Sequence, residues 1–388
     1  MSQFKIQHLL SLPTLIEIII LFILFLFSKI FTIILIISLL IAYFVNKAGT
    51  TPSNSSTRTM QSIIYYPDKS SQMHKITQSL PKIKPHQVLV STKAVSINPV
   101  DYKLNICLFP FARWFISFTV GRDISGVVIE IGSLVTHFKE GDRIYGCAES
   151  GALAEYAVCN ENKIAKIPNE NIKYVEIVGV GLAGCTALQT ILWFYTKEEL
   201  QHKAVLVIGG SGGVGSQALQ ILKYYNTRLI WGVCSERNVD YVNTLCDKVI
   251  NYSENVSSQI NEQQFDLIID TVTSYEDENQ REKYSQYLSH EGKYVQINGK
   301  PFEFALGILA SYLVKPQGIE PKNFHLHSFH YEKAHLEEIA KMVMNNKLKV
   351  SVECIRFNEN EIVNAFNKLK SRRTVGKIIV DFEDNIQY

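Results

Sequence analysis

The 388-residue sequence predicts an α/β fold that is built on a doubly wound parallel sheet and preceded by an N-terminal transmembrane segment. Three observations predict this fold. A strand, a glycine-rich turn and a helix follow one another from residue 204, further short strands alternate with helices after them, and a long apolar stretch opens the chain. Hydrophobic residues make up 46% and charged residues 20%, a composition that excludes a disordered chain. The net charge of +2 gives no basis for a nucleic-acid partner.

The apolar stretch at the N-terminus predicts a membrane anchor over residues 1–45. Between Leu9 and Val45, 29 of 37 residues are apolar, and about 20 such residues suffice for a helix to cross a bilayer. One tilted span fits, and so does a hairpin that turns at Ser28 and Lys29. The flanking charges are too few to fix the orientation. Residues 46–60 are rich in Ser, Thr and Asn, and we interpret them as a flexible tether.

A dinucleotide-binding turn is predicted directly after the apolar run 204–208. Gly210, Gly212 and Gly215 form a G-x-G-x-x-G pattern between this strand and a helical pattern. The first glycine permits a tight turn, the second lets a pyrophosphate approach the backbone, and the third lets the helix pack on the strand. The free N–H groups at the helix start would then bind the phosphates. The predicted contacts of this turn are Gly210, Ser211, Gly212, Gly213, Val214 and Gly215.

The second strand of this unit, 228–234, predicts a preference for NADPH over NADH. An NAD-binding strand ends with an acidic residue that binds the ribose 2′-OH. Here Glu236 comes slightly late, whereas Ser235, Arg237 and Asn238 could bind a 2′-phosphate. The planar guanidinium of Arg suits phosphate because it can donate two hydrogen bonds at once. Alternatively, Arg237 is a solvated residue at a helix start.

Three further strands continue the alternation, at residues 248–251, 265–270 and 292–297. Strands that alternate with helices are connected by right-handed crossovers and lie parallel in one sheet. The pattern therefore predicts a doubly wound parallel sheet.

Residues 61–388 resemble the zinc-independent quinone oxidoreductase branch of the medium-chain dehydrogenase/reductase superfamily. The motifs that carry the resemblance include VSINPVDYK (95–103), GRDISGVVIEIG (121–132), GLAGCTALQ (181–189) and VGKIIVDF (375–382). The resemblance implies a GroES-like, β-rich catalytic domain around a Rossmann domain. Within the family, the chain looks like plant chloroplast-envelope quinone oxidoreductase homologues and mitochondrial reticulon-interacting reductases. The domains expected are a first catalytic part at 61–185, a Rossmann NADP-binding domain at 186–320 and a return to the catalytic domain at 321–388.

The same resemblance implies that no catalytic zinc is bound. Zinc-dependent relatives take their ligands from a Cys-His stretch, a Gly-His-Glu motif and a later Cys. The matching places here hold Asn98-Pro99, Gly121-Arg122-Asp123 and Leu182. Seven cysteines are present, but no pair has C-x-x-C spacing, so neither a zinc knuckle nor a redox dithiol is expected.

Without a metal, the expected reaction is reduction of an activated acceptor. NADPH would deliver hydride to a quinone or to the β-carbon of an α,β-unsaturated carbonyl, and a side chain or water would supply the proton. The resemblance places Asn98 beside the nicotinamide, where it can hydrogen-bond a carbonyl. Tyr102 and Lys103 are candidate proton donors that could equally face solvent or core. Phe109 stands where some enoyl reductases carry a proton-donating Tyr, which argues against that mechanism.

Further cofactor contacts are implied by matching position in the family. Thr186 lies in the TA motif, Tyr252 follows the third strand, and Val272 and Gly299 should flank the nicotinamide. Lys377 follows Gly376 near the C-terminus.

Two other apolar stretches suggest contacts with a lipophilic acceptor, with the bilayer or with a second copy of the chain. Residues 105–120 contain 11 apolar residues in 16, which suggests a lipophilic lid or a bilayer contact, with a packed loop or a dimer contact as the alternative. Residues 305–314 are interpreted as core or as an interface of a homodimer. We therefore expect a membrane-anchored, cytosol-facing reductase of a lipophilic acceptor. The alternative is a membrane scaffold or trafficking adaptor that retains the fold.

Overall fold

The computed structural model describes residues 58–65, 73–102, 118–273, 279–297, 324–326 and 331–383. The predicted anchor and most of the tether lie outside these residues, as do Lys103, Gly299, the stretch 305–314 and nearly all of the apolar loop 105–120. Within the described ranges, no helix is both long enough and apolar enough to cross a membrane.

The N-terminal part of the described chain is antiparallel. Its central strand β3 pairs with both β5 and β7, and β6 lies between β5 and β7. A smaller sheet has the order β2-β1-β4. The strands are β1 (Thr59–Tyr65), β2 (Met73–Ser79), β3 (Gln87–Ile97), β4 (Phe118–Thr119), β5 (Asp123–Ile131), β6 (Arg143–Ala148) and β7 (Tyr156–Lys166).

The middle of the chain forms the parallel sheet. Its strand order is β10-β9-β8-β11-β12-β13, and every pairing in it is parallel. This confirms the predicted doubly wound sheet. The elements are α1 (Tyr174–Val178), α2 (Gly181–Leu192), β8 (Ala204–Ile208), α3 (Gly213–Tyr224), β9 (Leu229–Cys234), α4 (Val239–Asn243), β10 (Lys248–Asn251), α5 (Val256–Ile260), β11 (Phe265–Asp270), α6 (Asn279–Ser285), β12 (Leu288–Gln296), β13 (Phe324–Leu326) and α7 (Lys333–Met344).

The C-terminal segment returns to the antiparallel sheet. It comprises β14 (Val352–Arg356), α8 (Glu359–Lys370) and β15 (Lys377–Asp381). Strand β15 runs antiparallel to β3, with Ile378 opposite Ile97. This register brings the start of β15 to the end of β3, where Asn98 follows.

Two elements beyond residue 320, where the Rossmann domain was predicted to end, belong with the parallel sheet. Strand β13 pairs with β12 and completes the parallel sheet. The buried face of α7, formed by Leu336, Ile339 and Met342, belongs to the same hydrophobic core as Val205 of β8 and Leu219 of α3. Because the apolar residues of α7 recur at helical spacing, they form one face, and the helix lies against both α2 and β7. Strands β14 and β15 pair in the antiparallel sheet, and the buried residues of α8 belong to its core.

Candidate active site

The glycine-rich turn joins the end of β8 to the start of α3. A Cβ atom added to Gly215 would lie 2.1 Å from the Gly209 carbonyl oxygen, so only glycine permits this approach of helix to strand. A Cβ added to Gly212 would meet only that same carbonyl, at 3.4 Å, so its other sides are open. The first N–H groups of a helix have no intrahelical acceptor. The turn therefore fits a dinucleotide pyrophosphate.

Polar side chains gather beside this turn at the end of β9. The Asn238 amide nitrogen donates to the Ser211 hydroxyl at 3.0 Å and to the Ser235 hydroxyl at 3.2 Å. Arg237 and Glu236 are exposed in the short 3-10 helix that follows Ser235. Two hydroxyls, an amide and a guanidinium thus lie where a 2′-phosphate would be recognised.

Three other predicted cofactor contacts lie at the carboxyl ends of the parallel strands or on α2. Tyr252 follows β10 and is 53% exposed, and its N–H donates to the Cys234 carbonyl at 3.1 Å. Val272 follows β11, and its N–H donates to Asp270 at 2.9 Å. The carboxyl edge of an open parallel sheet is the usual place for a ligand. Thr186 is buried, and its hydroxyl donates to the Leu182 carbonyl of its own helix at 2.7 Å.

A second polar region is buried at the end of β3 and centres on Asn98. This side chain is 2% exposed. Its amide nitrogen donates to Asp123 Oδ2 at 2.8 Å and to the Ser96 carbonyl at 3.1 Å. Its Oδ1 accepts a hydrogen bond from the Lys377 ammonium. Both amide hydrogens and the amide oxygen are therefore engaged.

Asp123 connects this amide to two other parts of the fold. The carboxylate is fully buried at the start of β5. Its Oδ1 accepts from the Leu182 N–H, in the first turn of α2, at 2.7 Å and from the Tyr331 hydroxyl at 2.8 Å. Asp123 thus accepts hydrogen bonds from the first turn of α2, from Tyr331 and from the Asn98 amide.

Asp101 lies next to this group and has an unusual acidity. One of its carboxylate oxygens accepts from the Asn98 N–H at 2.7 Å, and the other is buried with no hydrogen-bond partner among the described residues. Burial raises the pKa of Asp101 to about 7, and the neighbouring Asp123 adds to the rise. The Asn98 N–H, Lys377 and Arg122 act in the opposite direction. The group therefore changes its charge near neutral pH.

Burial also shifts Lys377 and Asp123. It lowers the pKa of Lys377, against the attraction of Asp123 and Asp101. It raises the pKa of Asp123, against the attraction of Lys377. Both shifts disfavour the charged form, as expected when desolvation outweighs the mutual attraction of a buried pair. We call Asn98, Asp101, Asp123, Tyr331 and Lys377 the buried polar cluster.

The residues at this place do not fit a zinc ion. Zinc sites in proteins use thiolate, imidazole and carboxylate ligands. Asp123 is a carboxylate, but its oxygens already accept three hydrogen bonds. The ammonium of Lys377 and the guanidinium of Arg122 act on the same carboxylates and would repel a second cation. In the part of the chain that the structure describes, no group of three His, Cys, Asp or Glu residues could hold a metal.

The sequence predicted separate roles for Asn98, beside the nicotinamide, and for Lys377, as a cofactor contact. In the structure the two side chains are hydrogen-bonded to each other. Tyr102 packs against the core of the antiparallel sheet, and the Lys370 ammonium of α8 lies 5.7 Å from the centre of its ring. Asp101 and Tyr331 were missed, and Asp123 was considered only as a failed zinc ligand. An aspartate at the head of an apolar strand is a signal that could have identified Asp123, whereas Tyr331 has none in its sequence surroundings.

Comparison with known proteins agrees with this architecture. Residues 84–169 match the family profile of the alcohol dehydrogenase GroES-like domain, and residues 246–380 match that of the zinc-binding dehydrogenases. The chloroplast envelope quinone oxidoreductase homolog of Arabidopsis thaliana is 27% identical over 313 residues, which cover 78% of this chain and 92% of the relative. The NADPH-dependent alkenal/one oxidoreductase of the same plant is 29% identical over 231 residues, 57% of each chain.

Among solved structures, the quinone oxidoreductase of Coxiella burnetii is similar in fold. It superimposes with a TM-score of 0.70 at 23% identity, covering 84% of this chain and all of that one. This likeness concerns the fold alone.

Proposed function

Because this chain belongs to the medium-chain dehydrogenase/reductase superfamily, we propose that it is an NADPH-dependent oxidoreductase that reduces a quinone or an α,β-unsaturated carbonyl. The observation that carries the proposal is the open glycine-rich turn with Ser211, Ser235 and Asn238 joined beside it. The acceptor class follows the printed names of two relatives, one a quinone oxidoreductase homolog and one an alkenal/one oxidoreductase.

The residues of the turn and of β9 would hold the cofactor. N–H groups at the start of α3 bind the pyrophosphate, and Ser211, Ser235, Arg237 and Asn238 bind the 2′-phosphate. When bound, NADPH supplies the hydride. Orienting cofactor and acceptor in one site removes much of the entropic barrier to the transfer.

The catalytic domain would provide hydrogen bonds to the acceptor oxygen. The acceptor oxygen would receive a hydrogen bond from the Asn98 amide nitrogen. It would replace the longer of the two bonds that this nitrogen donates, the 3.1 Å contact to the Ser96 carbonyl. The bond to Asp123 would then keep the amide in place. The proton that completes the reduction would come from water or from the 98–103 stretch, where Tyr102 and Lys103 are the candidate donors.

Zinc independence is a further part of the proposal. Polarisation of an alcohol by a metal needs an open position among soft or imidazole ligands. The corresponding place here holds an amide, a guanidinium, an ammonium and a fully hydrogen-bonded carboxylate. Reduction of an activated acceptor needs no such polarisation.

The proposal also includes a membrane location. Residues 1–45 would anchor the chain as one span or as a hairpin, with the catalytic domain facing the cytosol and its NADPH supply. A lipophilic acceptor could then reach the site from the bilayer. One of the relatives is named for the chloroplast envelope, which supports membrane association as a shared feature. Homodimer formation belongs to the same proposal and can be measured by light scattering of the solubilised protein.

The test uses the full-length chain in detergent micelles. NADPH oxidation is followed with short quinones, long-tailed quinones and reactive enones, before and after dialysis against a zinc chelator. We expect turnover with at least one of these acceptors and no loss of rate after chelation. A rate that disappears on chelation and returns with zinc would contradict zinc independence. NADPH binding with no turnover on any acceptor would contradict the acceptor class, and absence of binding would favour the scaffold or adaptor alternative.

A further inference from the structure

We propose that Lys377 is a positioning residue of the catalytic domain, a built-in cation that orients the Asn98 amide and balances the two buried carboxylates beside it. This assignment rests on the proposed reductase function, because it gives Asn98 a task in the reaction. It differs from the role that the sequence suggested for Lys377, which was direct contact with the cofactor.

The side chain of Lys377 starts beside the glycine-rich turn. The preceding residue, Gly376, donates its N–H to the Ser211 carbonyl at 2.9 Å and forms a bridge with Gly212. A Cβ atom added to Gly213 would lie 2.7 Å from Lys377 Cδ, so the aliphatic part of the lysine packs against the start of α3. The stem of Lys377 therefore contacts the same turn that would bind the pyrophosphate.

The ammonium at the other end of this side chain is hydrogen-bonded to the end of β3 and to Asn98. It donates to the Ile97 carbonyl at 3.1 Å and to Asn98 Oδ1. Lys377 is 5% exposed, and its hydrogen-bonding capacity is directed into the buried polar cluster. An ammonium has three donors and no acceptor, and two of the three are accounted for by β3 and its end.

This contact determines which way the Asn98 amide faces. An amide has a donating end and an accepting end. Here the oxygen faces the Lys377 ammonium and the nitrogen faces the Asp123 carboxylate. A 180° flip would place an NH₂ group against the ammonium and an oxygen against the carboxylate, and both contacts would become repulsive. The cation and the anion together therefore hold the amide in one orientation.

The ammonium also compensates buried negative charge. Asp123 is fully buried and Asp101 is 4% exposed, and both act electrostatically on Lys377. Removing one partner of a buried ion pair leaves an uncompensated charge and is strongly destabilising. The lysine thus supplies positive charge beside Asn98 and Asp123, which lie in stretches that the resemblance matches to zinc-ligand motifs.

The decisive variant is Lys377→Met in the full-length chain, with the exposed Lys347→Met as its matched control. We expect the NADPH dissociation constant of Lys377→Met to stay within about threefold of wild type, because the ammonium donates its hydrogen bonds to Ile97 and Asn98. We expect kcat to fall about 100-fold, because small misplacements of a group in the site cost that much. Ethylamine should restore part of kcat in Lys377→Ala and have no effect on Lys347→Met.

The opposite pattern would overturn the assignment. If Lys377 binds the cofactor directly, Lys377→Met raises the NADPH dissociation constant more than tenfold and leaves kcat at saturating NADPH unchanged. A Lys377→Ala variant whose kcat does not respond to ethylamine at any concentration would likewise contradict a cation role.

A second measurement covers the case in which these variants fold poorly or the wild-type chain shows no turnover. The unfolding midpoint is compared for Lys377→Met, Asp123→Asn and the double variant. If the two charges compensate each other, the double variant has a higher midpoint than Lys377→Met alone. A double variant that loses as much as both single variants together would contradict the assignment. Because this readout needs no turnover, it separates the failure of this assignment from the failure of the proposed function.

Discussion

The glycine-rich turn and the buried polar cluster differ in what they are built from, in their exposure and in the length of chain they draw on. The turn is built from backbone, lies open at the edge of the parallel sheet, and draws its residues from the 30 positions between Gly209 and Asn238. The buried polar cluster is built from side chains, is closed to solvent, and joins residues 279 positions apart. The first region therefore depends on local geometry, whereas the second exists because β15 returns to β3.

The largest effect should come from breaking the backbone geometry of the turn. In Gly215→Ala, the added Cβ would lie 2.1 Å from the Gly209 carbonyl oxygen, so the helix must move away from the strand. We expect the NADPH dissociation constant to rise at least about 100-fold, since loss of close approach removes several backbone contacts at once. Isothermal titration calorimetry measures this dissociation constant. Gly179→Ala is the control, because its nearest neighbour would be Val350 at an ordinary 3.4 Å. Equal affinity in both variants would contradict the backbone account.

Asp123→Asn should break the other region and leave the turn intact. The carboxylate accepts three hydrogen bonds in full burial, and an amide would place an NH₂ group against one of the donors. We expect the free energy of unfolding to fall by about 3 kcal/mol, the scale of a buried charged hydrogen-bond network. Chemical denaturation gives the value. Glu262→Gln at an exposed position serves as the control, and a loss of similar size there would show that the effect is not specific to the cluster.

Asp101→Asn sharpens the comparison through pH. Since the pKa of Asp101 is raised from 3.8 to about 7 in the fold, the folded state binds the proton more tightly than the unfolded state. Its contribution to stability is therefore complete below about pH 4 and is lost as pH rises through about 7. The variant removes this contribution. Between pH 5 and pH 8 its free energy of unfolding should therefore decrease by about 2 kcal/mol less than that of the wild type. Identical pH profiles for variant and wild type would refute the shifted acidity.

Arg237→Ala should have the smallest effect, confined to the turn region. An exposed charge-assisted contact to a 2′-phosphate is worth about 1 kcal/mol. We therefore expect NADPH affinity to fall roughly 5-fold to 10-fold and NADH affinity to stay unchanged. Titration with both nucleotides checks this. If Arg237 is only a solvated residue at a helix start, neither dissociation constant will change.

The difference between local and long-range contacts also explains which features could be predicted from the sequence. The strands at 204–208, 248–251 and 265–270 were predicted with the bounds that the structure has, because short apolar runs between polar turns are local signals. The oxidoreductase class was also predicted and is confirmed by the relatives. The pairing of 324–326 with β12 was not predicted, since nothing in the local sequence indicates it.

The buried polar cluster could not be predicted from local patterns. Asn98 and Lys377 were each singled out by a family motif, but their contact depends on the antiparallel register of β15 and β3. Tyr331 joins Asp123 across 208 positions of the chain, and no periodicity encodes that meeting. Such pairs become visible only when the topology is known.

We propose that the glycine-rich turn binds NADPH for a hydride transfer that the buried polar cluster supports. The most direct test is titration of the full-length, detergent-solubilised chain with NADPH and with NADH, followed by addition of a short quinone to the NADPH complex. We predict tighter binding of NADPH than of NADH and oxidation of the bound nucleotide once the quinone is added. A chain that binds neither nucleotide would contradict the claim.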